Sequence, residues 1–106
     1  MEDLSYQISR REDGAVVLRL LGELDLNVRD EVRDGVLAAV AQAGPSGVVL
    51  DFAGTDFIES EAMGALIDGL SAARLAGIPF TAVNATGIVH RVLQVSGVLD
   101  LFNRAG

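Results

Sequence analysis

Val48-Val49-Leu50-Asp51-Phe52-Ala53-Gly54-Thr55-Asp56-Phe57-Ile58-Glu59-Ser60-Glu61-Ala62-Met63-Gly64-Ala65-Leu66 is the most informative stretch of this chain. Val48 to Phe52 is a short apolar run between turn residues, the pattern of a central strand. Ala53 to Ile58 is expected to be a connecting loop. From Ser60 onward the spacing changes, and Met63, Leu66, Ile67, Leu70 and Ala73 share one face of a helix. Gly77 suits the left-handed residue that closes a helix, and Pro79 prevents continuation. Phe80 to Val83 then supplies another buried strand, completing a strand–helix–strand unit.

Outward from this unit the same alternation continues. On the N-terminal side, Val28, Val32, Val36, Ala39, Val40 and Ala43 form one helical stripe, with Arg29, Asp30, Arg33 and Asp34 opposite. Asp25 or Asn27 can cap that helix, and Gly44-Pro45 stops it. Before it, Ala15 to Leu21 is nearly continuous apolar sequence, which suits a strand buried on both faces. Leu4, Tyr6 and Ile8 alternate with polar residues as an edge strand, joined to the next by the Asp13-Gly14 turn and paired antiparallel. On the C-terminal side, Thr86 can cap a third helix carrying Ile88, Val89, Val92 and Leu93, ended by Gly97. Val98 to Phe102 is an apolar tail that must pack on something. The predicted order is β-β-α-β-α-β-α: an α/β fold, a mixed sheet of about four strands with three main helices, forming a single domain over residues 1–106. Later strands should be parallel with right-handed crossovers.

Composition narrows the function classes. The chain has 106 residues, half of them hydrophobic, and a formal net charge of −7. Nucleic acid and anionic membrane are poor direct partners, because both are held by Lys and Arg. A basic protein surface is a plausible one, although charge of this size also serves simple solubility. No apolar run approaches the roughly 18 residues of a membrane span. The acidic start Met1-Glu2-Asp3 is unlike a signal peptide, so a cytoplasmic location is expected. With no cysteine there is no disulfide, thiolate metal site or thiol nucleophile. His90 is the sole histidine and has no ligand partner at helical spacing, so no metal site is expected. Neither a phosphate-binding Gly-rich loop ending in Lys-Ser/Thr nor a nucleophile-elbow motif is present.

In open α/β sheets sites gather at the carboxyl ends of strands. Three segments should meet there: Gly22 to Asp25, Asp56 to Glu61, and Asn84 to Thr86. Glu23, Asp25, Asp56, Glu59 and Glu61 make that edge acidic. Ser60 is the residue of most interest. As an N-cap it would accept a hydrogen bond from the backbone N–H of Ala62 or Met63, which is reason enough for a serine. As a phosphoacceptor it would sit where free N–H groups and the positive helix end favour an anion. Glu61, in the first turn, gains about 0.3–1 kcal/mol from the same dipole. Glu59 and Glu61 could in principle exchange protons, but no nucleophile, metal cluster or electrophile motif accompanies them.

These residues together resemble the STAS family, and within it the bacterial anti-sigma-factor antagonists. The resemblance is carried by Gly22-Glu23-Leu24-Asp25, by Val49-Leu50-Asp51-Phe52 with Asp56 to Leu66, and by Val89-His90-Arg91-Val92-Leu93-Gln94-Val95-Ser96-Gly97-Val98-Leu99. Order and spacing match from Val16 to Phe102. The resemblance implies a non-enzymatic partner switch. The unphosphorylated antagonist binds an anti-sigma factor that is also a serine kinase, so that a sigma factor is released. The kinase, which binds the ATP, phosphorylates the antagonist, and a PP2C-type phosphatase resets it. The chain itself then needs no cofactor. Ser60 falls on the family's phosphoacceptor, and the implied partner surface comprises Glu23, Asp25, Asn27, Glu59, Glu61, Ala62, Met63 and Gly64. The second implication is an unphosphorylated accessory subunit of a lipid-transport ABC system or larger signalling complex. The family's D-S-[ST]-G pattern is altered to Glu59-Ser60-Glu61-Ala62. Glu61 puts a fixed charge beside the acceptor hydroxyl, and Ala62 adds a Cβ where the family keeps backbone near the partner.

Overall fold

The opening hairpin forms where the Asp-Gly pair predicts it. In the structure, a computed structural model describing residues 5–103, β1 (Tyr6–Arg10) runs antiparallel to β2 (Val16–Leu20). Leu4, expected to open β1, lies outside the described residues. The turn is closed by Asp13, whose carboxylate accepts hydrogen bonds from the Arg11 guanidinium (2.6 Å) and the Ala15 N–H (3.1 Å), with Gly14 at φ 92°. The Arg11 contact, then the Ala15 N–H, holds the Asp13 carboxyl down at about 2.

β2 pairs parallel with β4 (Val48–Asp51), and β4 pairs parallel with β6 (Phe80–Val83). The sheet order is β1-β2-β4-β6, with β1 at an edge as expected. One expectation fails here. Residues 53–58 are not only a loop, and Gly22 to Asp25 does not simply break the strand. Gly22–Leu24 (β3) pairs parallel with Thr55–Ile58 (β5) as a separate two-stranded sheet. Both segments are too short and too polar to stand out alone, and each becomes a strand only because the other lies beside it.

The helices are α1 (Arg29–Gln42, entered through a 3₁₀ turn at Leu26–Val28), α2 (Ser60–Ala76), α3 (Gly87–Val95) and α4 (Val98–Asn103). The apolar tail is thus a fourth, short helix, anchored by buried Val98 and Phe102. Tyr6 pairs with Leu20, Val16 with Val48, and Val48 with Phe80, so these side chains leave one face of the sheet. α1 meets that face at Gly35 against the Tyr6 ring, α2 at Gly69 against Phe80, and α4 through an edge-on contact of Phe102 with Phe80 at 5.7 Å. β2 is therefore not buried on both faces as its apolar run suggested. Val16, Leu18 and Leu20 are in the core, whereas Val17 is half-buried and Arg19 exposed. A strand covered from one side keeps the two-residue alternation of burial.

The α1–α2 contact sets the depth of the core. A Cβ on Gly69 would lie 1.7 Å from Val36 Cγ1 and 3.1 Å from Val36 Cβ. A β-branched residue in a helix has one strongly preferred χ1, so Val36 cannot swing aside cheaply. Gly64 lies on the same helix with open space around it. Gly69→Ala should therefore cost about 1–3 kcal/mol of stability by overpacking. Gly64→Ala should gain roughly 0.5–1 kcal/mol from helix propensity alone. Urea unfolding of the two variants checks this opposite pair of signs.

Candidate functional site

The pairing of β3 with β5 places Leu24 opposite Ile58, and the Glu59 N–H continues the ladder by donating to the Leu24 carbonyl at 2.9 Å. The next residues of the two segments, Asp25 and Ser60, leave their strands at the same end of this small sheet. Leu24 and Ile58 point into the core, both almost fully buried, and pin the pair from below. Asp25 caps the 3₁₀ turn, its carboxylate accepting from the Asn27 N–H at 3.0 Å. It does not cap α1 directly, as the turn intervenes and Val28 occupies that helix's N-cap.

Ser60 is not the N-cap of α2. Glu59 is, with extended backbone (φ −103°, ψ 165°), and its carbonyl accepts from the Met63 N–H at 3.1 Å. The reason is the ladder. Glu59 must stay extended to reach Leu24, so the helix cannot begin before Ser60. Ser60 becomes the first helical residue, and its hydroxyl is not spent on a backbone N–H. Instead Ser60 Oγ donates to Glu61 Oε2 at 2.9 Å, and both side chains are exposed.

The other predicted residues divide by burial. Glu23, Asn27 and Gly64 are exposed, while Asp25, Glu59 and Met63 are half-buried. Ala62 is fully buried in the core, so its methyl group faces away from any partner. That corrects its assignment to the surface: position 62 lies on the stripe with Ala65, Leu66 and Gly69. Among the described residues, Glu23, Asp25, Asp56, Glu59 and Glu61 form no ion pair; the arginines of α1 are engaged with Asp30 and Asp68. The edge is acidic and uncompensated. No group of three or more metal-ligating side chains occurs among the described residues, and no helix is long and apolar enough to cross a membrane.

In the third expected segment, the Asn84 side chain is engaged with the main sheet. Asn84, at φ 63°, turns its amide back to Asp51 Oδ1 at 3.0 Å. Asp51 also accepts from the Ala53 N–H at 2.9 Å and faces Arg19 at 3.5 Å. Burial alone would raise the Asp51 carboxyl. The Ala53 N–H, the Asn84 amide and the Arg19 charge together outweigh it and hold the group below its ordinary value. This cluster ties β2, β4 and the end of β6 together.

Sequence reasoning missed an apolar groove between α2 and α3. It is about 390 Å³, lined by Met63, Ile88, Arg91, Val92, Val95 and Ser96. Ile88 is 52% exposed and Val95 80% exposed, so the apolar face of α3 is wider than its buried part, Val89 and Leu93. Ile67, expected on the core face of α2, is also exposed. The signal was present in the excess of apolar residues on α3, which the core alone does not use.

Residues 6–105 match the family of STAS domains. The chain therefore belongs to the STAS domain family. Among curated relatives, it is 23% identical over 95 residues to an anti-sigma F factor antagonist of Lysinibacillus sphaericus, covering 90% of this chain and 81% of that protein. Among solved structures, it resembles an anti-sigma factor antagonist from Mycobacterium paratuberculosis with a TM-score of 0.76 at 19% identity, covering 92% of this chain and 81% of that one. The phosphorylated form of the Bacillus cell fate determinant SpoIIAA gives 0.68 at 22% identity, covering 95% and 91%. At these identities the structures share the fold.

The Asp51 cluster makes the scaffold acid-sensitive in a defined direction. Its folded-state value lies below the unfolded one, so its contribution is complete above the ordinary aspartate value and is lost as pH falls through the folded value. Asp51→Ala leaves the Ala53 N–H and the Asn84 amide without their acceptor, which should cost about 1–3 kcal/mol at pH 7. The gap to the parent chain should narrow below about pH 4. Unfolding by urea at several pH values reads it, and a gap constant down to pH 3 would contradict this role.

Proposed function

We propose that this chain is an anti-sigma factor antagonist switched at Ser60. Unphosphorylated, it binds an anti-sigma factor that is also a serine kinase, and so frees a sigma factor. The observation that carries this is the Ser60 hydroxyl, exposed in the first turn of α2 and not engaged with the backbone, beside the Asp25 turn brought in by the β3–β5 pair. The partner face comprises Glu23, Asp25, Asn27, Glu59, Glu61, Met63 and Gly64, with the α2–α3 groove as its apolar margin. Uncompensated acidic charge on that face favours a basic counterpart and speeds encounter. The family and the curated relative's description agree with this role.

Switching requires a group transfer in which this chain is substrate, not catalyst. Ser60 Oγ forms a bond to the γ-phosphorus of the ATP held by the kinase. The bond from that phosphorus to the bridging oxygen breaks, ADP leaves with the electron pair, and the hydroxyl proton passes to a base on the kinase. The product carries about 1.5–2 additional negative charges on an exposed helix end. This changes the shape and charge of the partner face while the core beneath it, Leu24, Ile58 and Ala62, is untouched. A PP2C-type phosphatase returns the hydroxyl.

Incubation with the cognate anti-sigma kinase and ATP, read by intact mass, tests this. The expected result is a gain of one phosphate, absent in Ser60→Ala, and a loss of kinase affinity of about tenfold or more on phosphorylation. Phosphate on another residue, or none at all, would overturn it.

A further inference from the structure

We infer that Glu61 is a built-in brake on phosphorylation of Ser60, setting the chain towards its unphosphorylated state. This rests on Ser60 being the phosphoacceptor. The Glu61 carboxylate accepts a hydrogen bond from the Ser60 hydroxyl, Oγ to Oε2 2.9 Å, and both groups are exposed at the first turn of α2. The carboxylate thus occupies the space around Oγ into which a phosphoryl group must enter. It also shares the positive helix end that would otherwise stabilise the phosphate. Among the described residues Glu61 is in no ion pair, and its acidic neighbours Glu59 and Asp25 add to the field.

A carboxylate hydrogen-bonded to a hydroxyl can help it as a general base or hinder it as a charge. The chemistry of the transfer decides between them. Phosphoryl transfer passes through a loose transition state with little bond formation to the nucleophile, so early removal of the proton contributes little. The transferring group is anionic throughout, and catalysis depends on stabilising that charge. A second anion within roughly 4 Å in water opposes it by about fivefold per unit charge. The same repulsion acts on the product, so phosphorylated Ser60 is disfavoured at equilibrium as well as slow to form.

Two measurements test the brake with the full chain. The first is the rate of label transfer to Ser60 from the cognate kinase and ATP at a saturating concentration of the chain, where the effect of Glu61 on encounter no longer enters. Glu61→Gln keeps the size and the hydrogen-bond acceptor but removes the charge, and should be labelled roughly fivefold faster at low salt. The ratio should shrink as the Debye length falls from about 10 Å at 0.1 M to about 3 Å at 1 M salt, which a purely structural role would not produce. Equal or slower labelling of Glu61→Gln would overturn the brake while leaving Ser60 as the phosphoacceptor. The second needs no kinase: phosphoserine is introduced translationally at position 60 in the parent chain and in Glu61→Gln. Followed by phosphorus NMR, the second ionisation of that phosphate should lie about 0.7 pH unit lower in Glu61→Gln than in the parent chain, the equivalent of a fivefold shift. An identical ionisation in both overturns the brake directly. Absence of label on Ser60 in both versions overturns the phosphoacceptor role, and the brake with it.

Discussion

One backbone hydrogen bond, from the Glu59 N–H to the Leu24 carbonyl, organises the end of the molecule that carries Ser60. It extends the parallel pairing of β3 and β5 by one step. In doing so it holds Glu59 extended, delays the start of α2 to Ser60, and sets the Asp25 turn beside that start. Had the helix begun one residue earlier, Ser60 could have occupied an inner position of the first turn. As the first helical residue it presents an exposed hydroxyl whose partner is a neighbouring carboxylate.

That small sheet is held by the larger architecture. Thr55 Oγ1 donates to the Leu20 carbonyl at 2.7 Å and the Gly22 N–H to the Gly54 carbonyl at 2.9 Å, which splice the β3–β5 pair onto the end of β2. The helices cover one face of the main sheet, and the close passage of Gly69 over Val36 brings α2 down onto it. A rigid α2 gives Ser60 a fixed position, so a change of charge there alters a surface without requiring the core to rearrange. A site on the end of a packed helix is held more firmly than one on a free loop.

The four strands of the main sheet and the long helices were legible because each carries its own signal: alternation in β1, apolar runs in β4 and β6, and a 3.6-residue stripe in α1 and α2. The β3–β5 pair was not legible. Gly22–Leu24 has only three residues, and Thr55–Ile58 is polar except for Phe57 and Ile58, so their structure is a consequence of tertiary proximity. The same hidden ladder explains why Ser60 was expected as a cap and is not one. Ala62 was misplaced because motif likeness carries no information on helical phase, whereas the stripe it shares with Ala65, Leu66 and Gly69 does. Single-faced cover of the sheet was hidden as well, since Val17 and Val49 are apolar on the side that no described helix meets.

If Ser60 is the switch, two distant segments, 23–27 and 59–64, form one partner face with that residue at its centre. Amide chemical-shift mapping of the isotopically labelled chain, titrated with its anti-sigma factor kinase, tests this most directly. Perturbations should concentrate on those two segments and on the α2–α3 groove around Met63, Ile88 and Val92, and phosphorylation of Ser60 should abolish them. Perturbations centred instead on the helix-free face of the sheet, at Val17, Arg19, Thr81 and Val83, would contradict it.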